Sequence, residues 1–272
     1  RRIMEVTRKS GRVEVRSRCD VLVIGGGPAG VGAAIEAARS GMAVTLVEYG
    51  GKLGGMWALG LLSPFFDNAN KEGLNREFRE KLRERNAWGG LWDISFDPLE
   101  MTLLLDEYAE EHRIDVLLYT IATEPIVEDG TIKGVIVENK SGAHAIMAGV
   151  VIDCSGDGDI AARAGAPFDI GRPEDGVYQP MTMMFKIGGL RDDYPRDRFA
   201  DWYKDIAARV DAEKFLNDVP FNYPAVIRLP RRGEALVQWT HIRYMLGCDA
   251  DQLSAATFEG RRQVRRAMEY FK

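Results

Sequence analysis

Residues 21–48 read VLVIGGGPAGVGAAIEAARSGMAVTLVE. The apolar run Val21 to Ile24 predicts a buried strand, and the glycines and proline that follow break it into a turn. The segment from Pro28 predicts a helix closed by Gly41, and Val44 to Glu48 predict a second strand, giving one βαβ unit. Gly25-x-Gly27-x-x-Gly30 follows the first strand and opens the helix, and Glu48 ends the next strand about twenty residues later. Gly25 permits the tight turn, Gly27 lets backbone approach a pyrophosphate, and Gly30 with Ala34 allows close helix-on-strand contact. Pro28 suits the first helical turn, where its missing N–H costs little, and Ala29 keeps that turn small. The helix start then offers free N–H groups and a positive dipole end to phosphates, while Glu48 accepts hydrogen bonds from an adenosine ribose. Together these features predict a dinucleotide site.

The chain has 272 residues, 46% of them hydrophobic, so it can bury one large core or two modest ones. Its net charge of −5 is spread over interspersed acids and bases, without the basic stripe that nucleic acid requires. No apolar stretch is long enough to span a bilayer. Cys19, Cys154 and Cys248 are odd in number and widely spaced, which predicts neither a disulfide framework nor a C-x-x-C pair, and points to a reducing compartment, the cytoplasm.

Around this unit the pattern predicts an α/β fold: a Rossmann-like FAD/NAD(P)-binding domain with a β-meander, plus a partial α+β second domain. Residues 1–19 alternate about Ser10-Gly11 as an N-terminal hairpin extension, 20–170 form the FAD-binding domain, and 171–272 form a partial substrate or cap domain. In 97–113, Leu99, Leu103, Leu104 and Tyr108 give a helix its apolar face. Asp129-Gly130 and Ser141-Gly142 supply the turns of a meander over 115–152. Beyond Gly171, QPMTMMFKIGGL and EALVQWTHIRYM read as strands, and 195–215 and 254–272 as helices.

The βαβ unit alone serves FAD and NAD(P) equally, and the next loop favours FAD, with a plain flexible loop as the alternative. In KLGGMW, residues 52–57, Gly54-Gly55 lets backbone approach a flat ligand beyond the pyrophosphate, with Met56 and Trp57 beside it; Trp57 is the best placed of the tryptophans, either to stack on a flavin or to fill a core. A second glycine turn, in VVIDCSGDGDIAARAGAPF, closes a later strand. There Gly156 presses on the same ligand, and Asp157 and Asp159 read either as ligand contacts or as a solvated helix start or N-cap.

These residues resemble the FAD-dependent oxidoreductases of the glutathione-reductase-like superfamily, in the branch related to fumarate reductase and succinate dehydrogenase flavoproteins. DVLVIGGGPAG, VTLVE…LGG, TIKGVIVENKSG, VVIDCSGDGDIAARAGAPF and EGRRQV follow that branch in order and spacing over nearly all of 20–272. The resemblance implies Gly25, Gly27 and Gly30 at the pyrophosphate, Glu48 at the ribose and Gly54-Gly55 on the flavin side. It also implies the Ala122 backbone at the adenine, and Gly156 and Asp157 in the family's second glycine turn. Histidine is absent from 49–66, where relatives with covalent flavin carry theirs, so noncovalent FAD is expected. Such flavoproteins add a late glycine-containing segment after the substrate domain; the chain ends before one, so a fragment of a longer protein is expected.

Substrate chemistry is less legible. The three histidines are scattered and predict no metal cluster. His241 and Arg243, on the strand face opposite Ile242, are weak catalytic candidates: histidine to shuttle a proton, arginine to hold a carboxylate. The expected activity is oxidation or reduction of a small molecule through noncovalent FAD, with an unidentified electron donor or acceptor. Two rivals stand: an NAD(P)-dependent dehydrogenase, and a noncatalytic nucleotide-binding subunit of a larger assembly.

Overall fold

The computed structural model describes residues 11–68, 70–90, 93–191 and 224–271. It divides the chain into two compact units, one made of residues up to Gly51 with Ala109–Ala166, the other of Lys52–Tyr108 with Pro167 onward. Each unit is therefore discontinuous in sequence.

The first unit is a six-stranded sheet with helices. Its strands are β1 (Glu14–Ile24), β2 (Val44–Val47), β5 (Asp115–Leu117), β6 (Ile121–Glu128), β7 (Thr131–Asn139) and β8 (Gly142–Asp153), in the order β5-β2-β1-β8-β7-β6. β1 is central and pairs in parallel with β2 and β8, with Val21 opposite Val44 and Val150. β6, β7 and β8 form the antiparallel meander. The first arm of the expected hairpin, through Ser10, lies outside the described residues. Within the expected extension, Glu14 to Cys19 belong to β1 and pair with His144 to Ala148.

Val21 to Ile24 and Val44 to Val47 are buried throughout, as strands covered on both faces must be. Helix α1 (Pro28–Arg39) buries Val31, Ala34 and Ile35, starts with proline and ends at Gly41, whose N–H bonds Ala38 O at 2.9 Å. Leu22, Ile24, Val47, Val135, Val137 and Ile146 form the core with Ile160 of α4 (Asp159–Arg163). Each such fully buried side chain contributes roughly 1.5–3 kcal/mol.

The second unit has an aromatic cluster and a small antiparallel sheet. Helix α2 (Leu74–Glu84) and the short pair β3 (Trp88–Gly89) and β4 (Ser95–Phe96) supply the cluster, in which Phe65 lies 5.1 Å from Phe96 and 5.6 Å from Trp88. Helix α3 (Pro98–Glu111), which belongs to this unit through Tyr108, buries Met101, Leu104, Leu105 and Tyr108, whereas Leu99 and Leu103 are exposed. The expected apolar face is thus half right. The other sheet runs β10 (Ala225–Arg228), β11 (Glu234–Gln238), β9 (Phe185–Gly188), with α5 (Ala250–Ala267) packed on Phe185, Val237 and Trp239 through Ala267 and Val264. The helix expected over 195–215 lies outside the described residues. No described helix is long and apolar enough to cross a membrane.

Candidate functional site

The glycine turn sits where three strands end. Gly25 N donates to Val47 O and Cys154 N to Ile24 O, each at 2.7 Å, so the ends of β1, β2 and β8 are tied at one point. Gly25 has φ +96, and a Cβ there would fall 2.2 Å from Cys154 O. A Cβ on Gly30 would fall 1.8 Å from Gly25 O. The chain's own packing therefore demands both glycines. Gly27 differs: its φ of −71 and ψ of −176 suit any residue, so backbone conformation does not explain its lack of a side chain. Gly27 caps α1 without a side-chain hydrogen bond, and no acid lies in the helix's first turn. The orphan N–H groups and dipole of that turn suit a phosphate.

Glu48 lies beside this helix start, only 3% exposed. Its Oε2 accepts from Gly26 N at 2.7 Å and its Oε1 from Gly50 N at 2.6 Å. Its backbone is held too, through Glu48 N to Leu117 O at 2.9 Å and Thr120 N to Glu48 O at 3.0 Å. Each carboxylate oxygen retains acceptor capacity after one such bond, so the group suits ribose hydroxyls. The uncapped helix start, the small Gly27 and this fixed carboxylate fit a dinucleotide. Sequence reasoning found the acid but missed its two amide partners; the glycines on either side were the available signal.

In the second glycine turn, neither Asp157 nor Asp159 caps the helix. Gly158 occupies the N-cap position with φ 68; Ser155 Oγ accepts from Asp159 N at 2.9 Å, and Asp153 Oδ2 accepts from Ile160 N and Ala161 N at 2.8 Å. Burial acts to raise the Asp153 carboxyl, but hydrogen bonds from Ser155, Ala161 and Ile160 outweigh it and hold it below the ordinary carboxylate range. Burial, then the Asp153 charge, pushes the Cys154 thiol up, away from a reactive thiolate. Gly156 and Asp157 are exposed, and a Cβ on Gly156 would meet open space. Ala122 is buried in β6, its carbonyl accepting from Arg163 Nη1 at 3.2 Å.

The remaining predicted residues belong to the second unit. Gly54 has φ 106 and a Cβ there would fall 2.9 Å from Ala58 Cβ; Gly55 to Trp57 form a single 3-10 turn. The Trp57 ring lies 4.9 Å from Phe65 and edge-on to Phe78 and Phe96, while Met56 is exposed. His241 is held by Gln263 of α5, which accepts from His241 N at 2.9 Å and donates to His241 O at 3.3 Å. His241 Nδ1 lies 3.1 Å from Trp239 O; a carbonyl only accepts, so Nδ1 is the donor in this contact. Arg243 is half-buried two residues on. Among the described residues no group of three potential ligands could hold a metal ion.

The family model for FAD dependent oxidoreductases matches residues 20–272. Digeranylgeranylglycerophospholipid reductase 2 of Methanothermobacter thermautotrophicus is 31% identical over 194 residues, 62% of this chain and 50% of the relative. The chain thus spans about half the length of that curated relative. Among solved structures, L-proline dehydrogenase from P. horikoshii aligns with a TM-score of 0.53 at 15% identity, over 89% of this chain and 76% of that one. A triple mutant of the flavin-dependent brominase Bmp2 aligns with a TM-score of 0.54 at 16% identity, over 91% and 64%. At such identities these structures speak for the fold alone.

Proposed function

This chain belongs to the FAD-dependent oxidoreductase family, and we propose that its first unit binds FAD noncovalently, with the pyrophosphate at the start of α1 and the adenosine ribose at Glu48. The observation that carries this reading is the Glu48 carboxylate, nearly buried, braced by Gly26 N and Gly50 N and set beside an uncapped helix start. Family membership favours FAD over the NAD(P) alternative. Bound FAD supplies hydride or electron transfer, and the chain binds, orients and shields it. Gly25 and Gly30 shape the turn, Gly27 leaves room in front of it, and Ala122, Gly156 and Asp157 line the same unit. For Gly54, Gly55, Met56 and Trp57 the flavin-side role is supported by the motif resemblance alone, and the absence of histidine from 49–66 supports noncovalent attachment. The order of motifs from DVLVIGGGPAG to EGRRQV supports the fumarate reductase and succinate dehydrogenase branch.

The substrate is a small molecule that exchanges electrons with FAD, and a separate donor or acceptor completes the cycle. His241 and Arg243 are the candidates to move a proton and to hold an anionic substrate group. The relative is a reductase, so the reductive direction is assayed first, with chemically reduced FAD. The free cysteines Cys19, Cys154 and Cys248 support a reducing compartment, the cytoplasm.

The test is to denature purified protein and identify by mass what is released. FAD in the supernatant, with no flavin on the polypeptide, is expected. A colourless protein that takes up no FAD on incubation would overturn the proposal. Bound flavin that no donor reduces would favour the noncatalytic subunit.

A further inference from the structure

Tyr119 joins β5 to β6 in a left-handed conformation, φ +52, that bulky residues rarely adopt, and 72% of it is exposed. Its N–H donates to Gly50 O at 3.0 Å. Its ring lies so close to Gly51 that a Cβ there would fall 2.3 Å from Oη and 2.6 Å from Cζ. Gly51 is not among the glycines with positive φ, so a side chain at 51 would meet the Tyr119 ring and not backbone strain, and the ring would have to move to admit it. Gly50 in turn donates to Glu48 Oε1 at 2.6 Å. Ring, glycine pair and carboxylate thus form one connected shelf. A turn needs neither an exposed aromatic ring nor a left-handed tyrosine, and strain of this kind collects at ligand sites.

The shelf has a direction. Glu48 is joined to the glycine turn through Gly26 on one side and to the shelf through Gly50 on the other. With pyrophosphate at the glycine turn and ribose at Glu48, the base attached to that ribose lies on the Gly50-Gly51-Tyr119 side. We infer that Tyr119, held against Gly51, is an aromatic wall for the adenine and a specificity-determining residue that favours adenosine-containing ligands. The inference rests on the reading of Glu48 as the ribose partner. A purine presents a π-face to an aromatic ring, and such contacts strengthen binding without base-specific hydrogen bonds.

The probes are ADP, measured by calorimetry, and riboflavin, measured by fluorescence quenching; riboflavin lacks the adenosine. Tyr119→Ala is expected to weaken ADP by about tenfold or more and leave riboflavin unchanged, while Tyr119→Phe keeps ADP affinity. Gly51→Ala displaces the ring and is expected to weaken ADP in the wild-type background, yet to add nothing in Tyr119→Ala. Tyr119→Gly relieves the backbone while removing the ring, so it should melt no lower than wild type and still bind ADP weakly. Wild-type protein that binds ADP, with Tyr119→Ala binding it equally well, overturns this inference alone. Equal losses for ADP and riboflavin overturn it as well. Wild-type protein that binds neither ADP nor FAD overturns the ribose reading and this inference with it.

Discussion

Glu48 Oε2 accepts a hydrogen bond from Gly26 N at 2.7 Å, so the acid at the end of β2 braces the glycine turn at the end of β1. Gly50 N bonds the other oxygen at 2.6 Å. The carboxylate is therefore a structural brace as well as the proposed ribose partner. Removing it leaves two amide donors without their acceptor.

Glu48→Ala should lose FAD affinity and also melt lower than wild type, since the buried Gly26 N–H is left unsatisfied, at about 1–3 kcal/mol. Glu48→Gln retains one carbonyl oxygen, so it should recover part of the stability and less of the affinity. Parallel thermal melts and FAD titrations check this. Unchanged affinity in a folded Glu48→Ala protein removes Glu48 from the site.

The Asp153 carboxyl, held below its ordinary value, gives a pH-dependent contribution whose sign is fixed. Its stabilisation is present above the unfolded aspartate value of about 3.9 and is lost as pH falls through the lower folded value. Asp153→Ala should cost about 1 kcal/mol as a lost helix cap. Asp153→Asn should flatten the acid side of the melting curve below pH about 4. A wild-type acid limb reproduced unchanged by Asp153→Asn would assign that limb to other groups.

Gly30→Ala places a methyl where Gly25 O already stands, 1.8 Å from the built Cβ, whereas Gly156→Ala meets open space and only its φ of +98 opposes it. Gly30→Ala should therefore lower soluble yield and melting temperature much more than Gly156→Ala. Equal effects would mean that α1 can move off the turn without cost.

The βαβ unit was legible because its signals are local: an apolar run, a glycine turn, Gly41 and a terminal acid. The turn at Asp129-Gly130 was legible for the same reason, and the next one fell one residue earlier than expected, at Lys140-Ser141, with Gly142 opening β8. Helix α3 was only half legible. The run Leu103-Leu104-Leu105 satisfies more than one helical row, and only tertiary packing buries Leu104 and Leu105 while leaving Leu103 exposed. The brace between Glu48 and Gly26 spans 22 residues, and the Gln263 clamp on His241 another 22, so no local pattern announces either. The Tyr119 ring on Gly51 joins residues brought together by the parallel pairing of β2 with β5.

The most direct test is the FAD affinity of Gly27→Val. Gly27 has a backbone conformation open to any residue, so valine there should fold, and its branched side chain would occupy the space where the pyrophosphate meets the helix start. The account predicts a folded protein, with near wild-type circular dichroism, that binds FAD at least about a hundredfold more weakly, a loss of about 2.7 kcal/mol or more. Folded Gly27→Val with wild-type FAD affinity would contradict it.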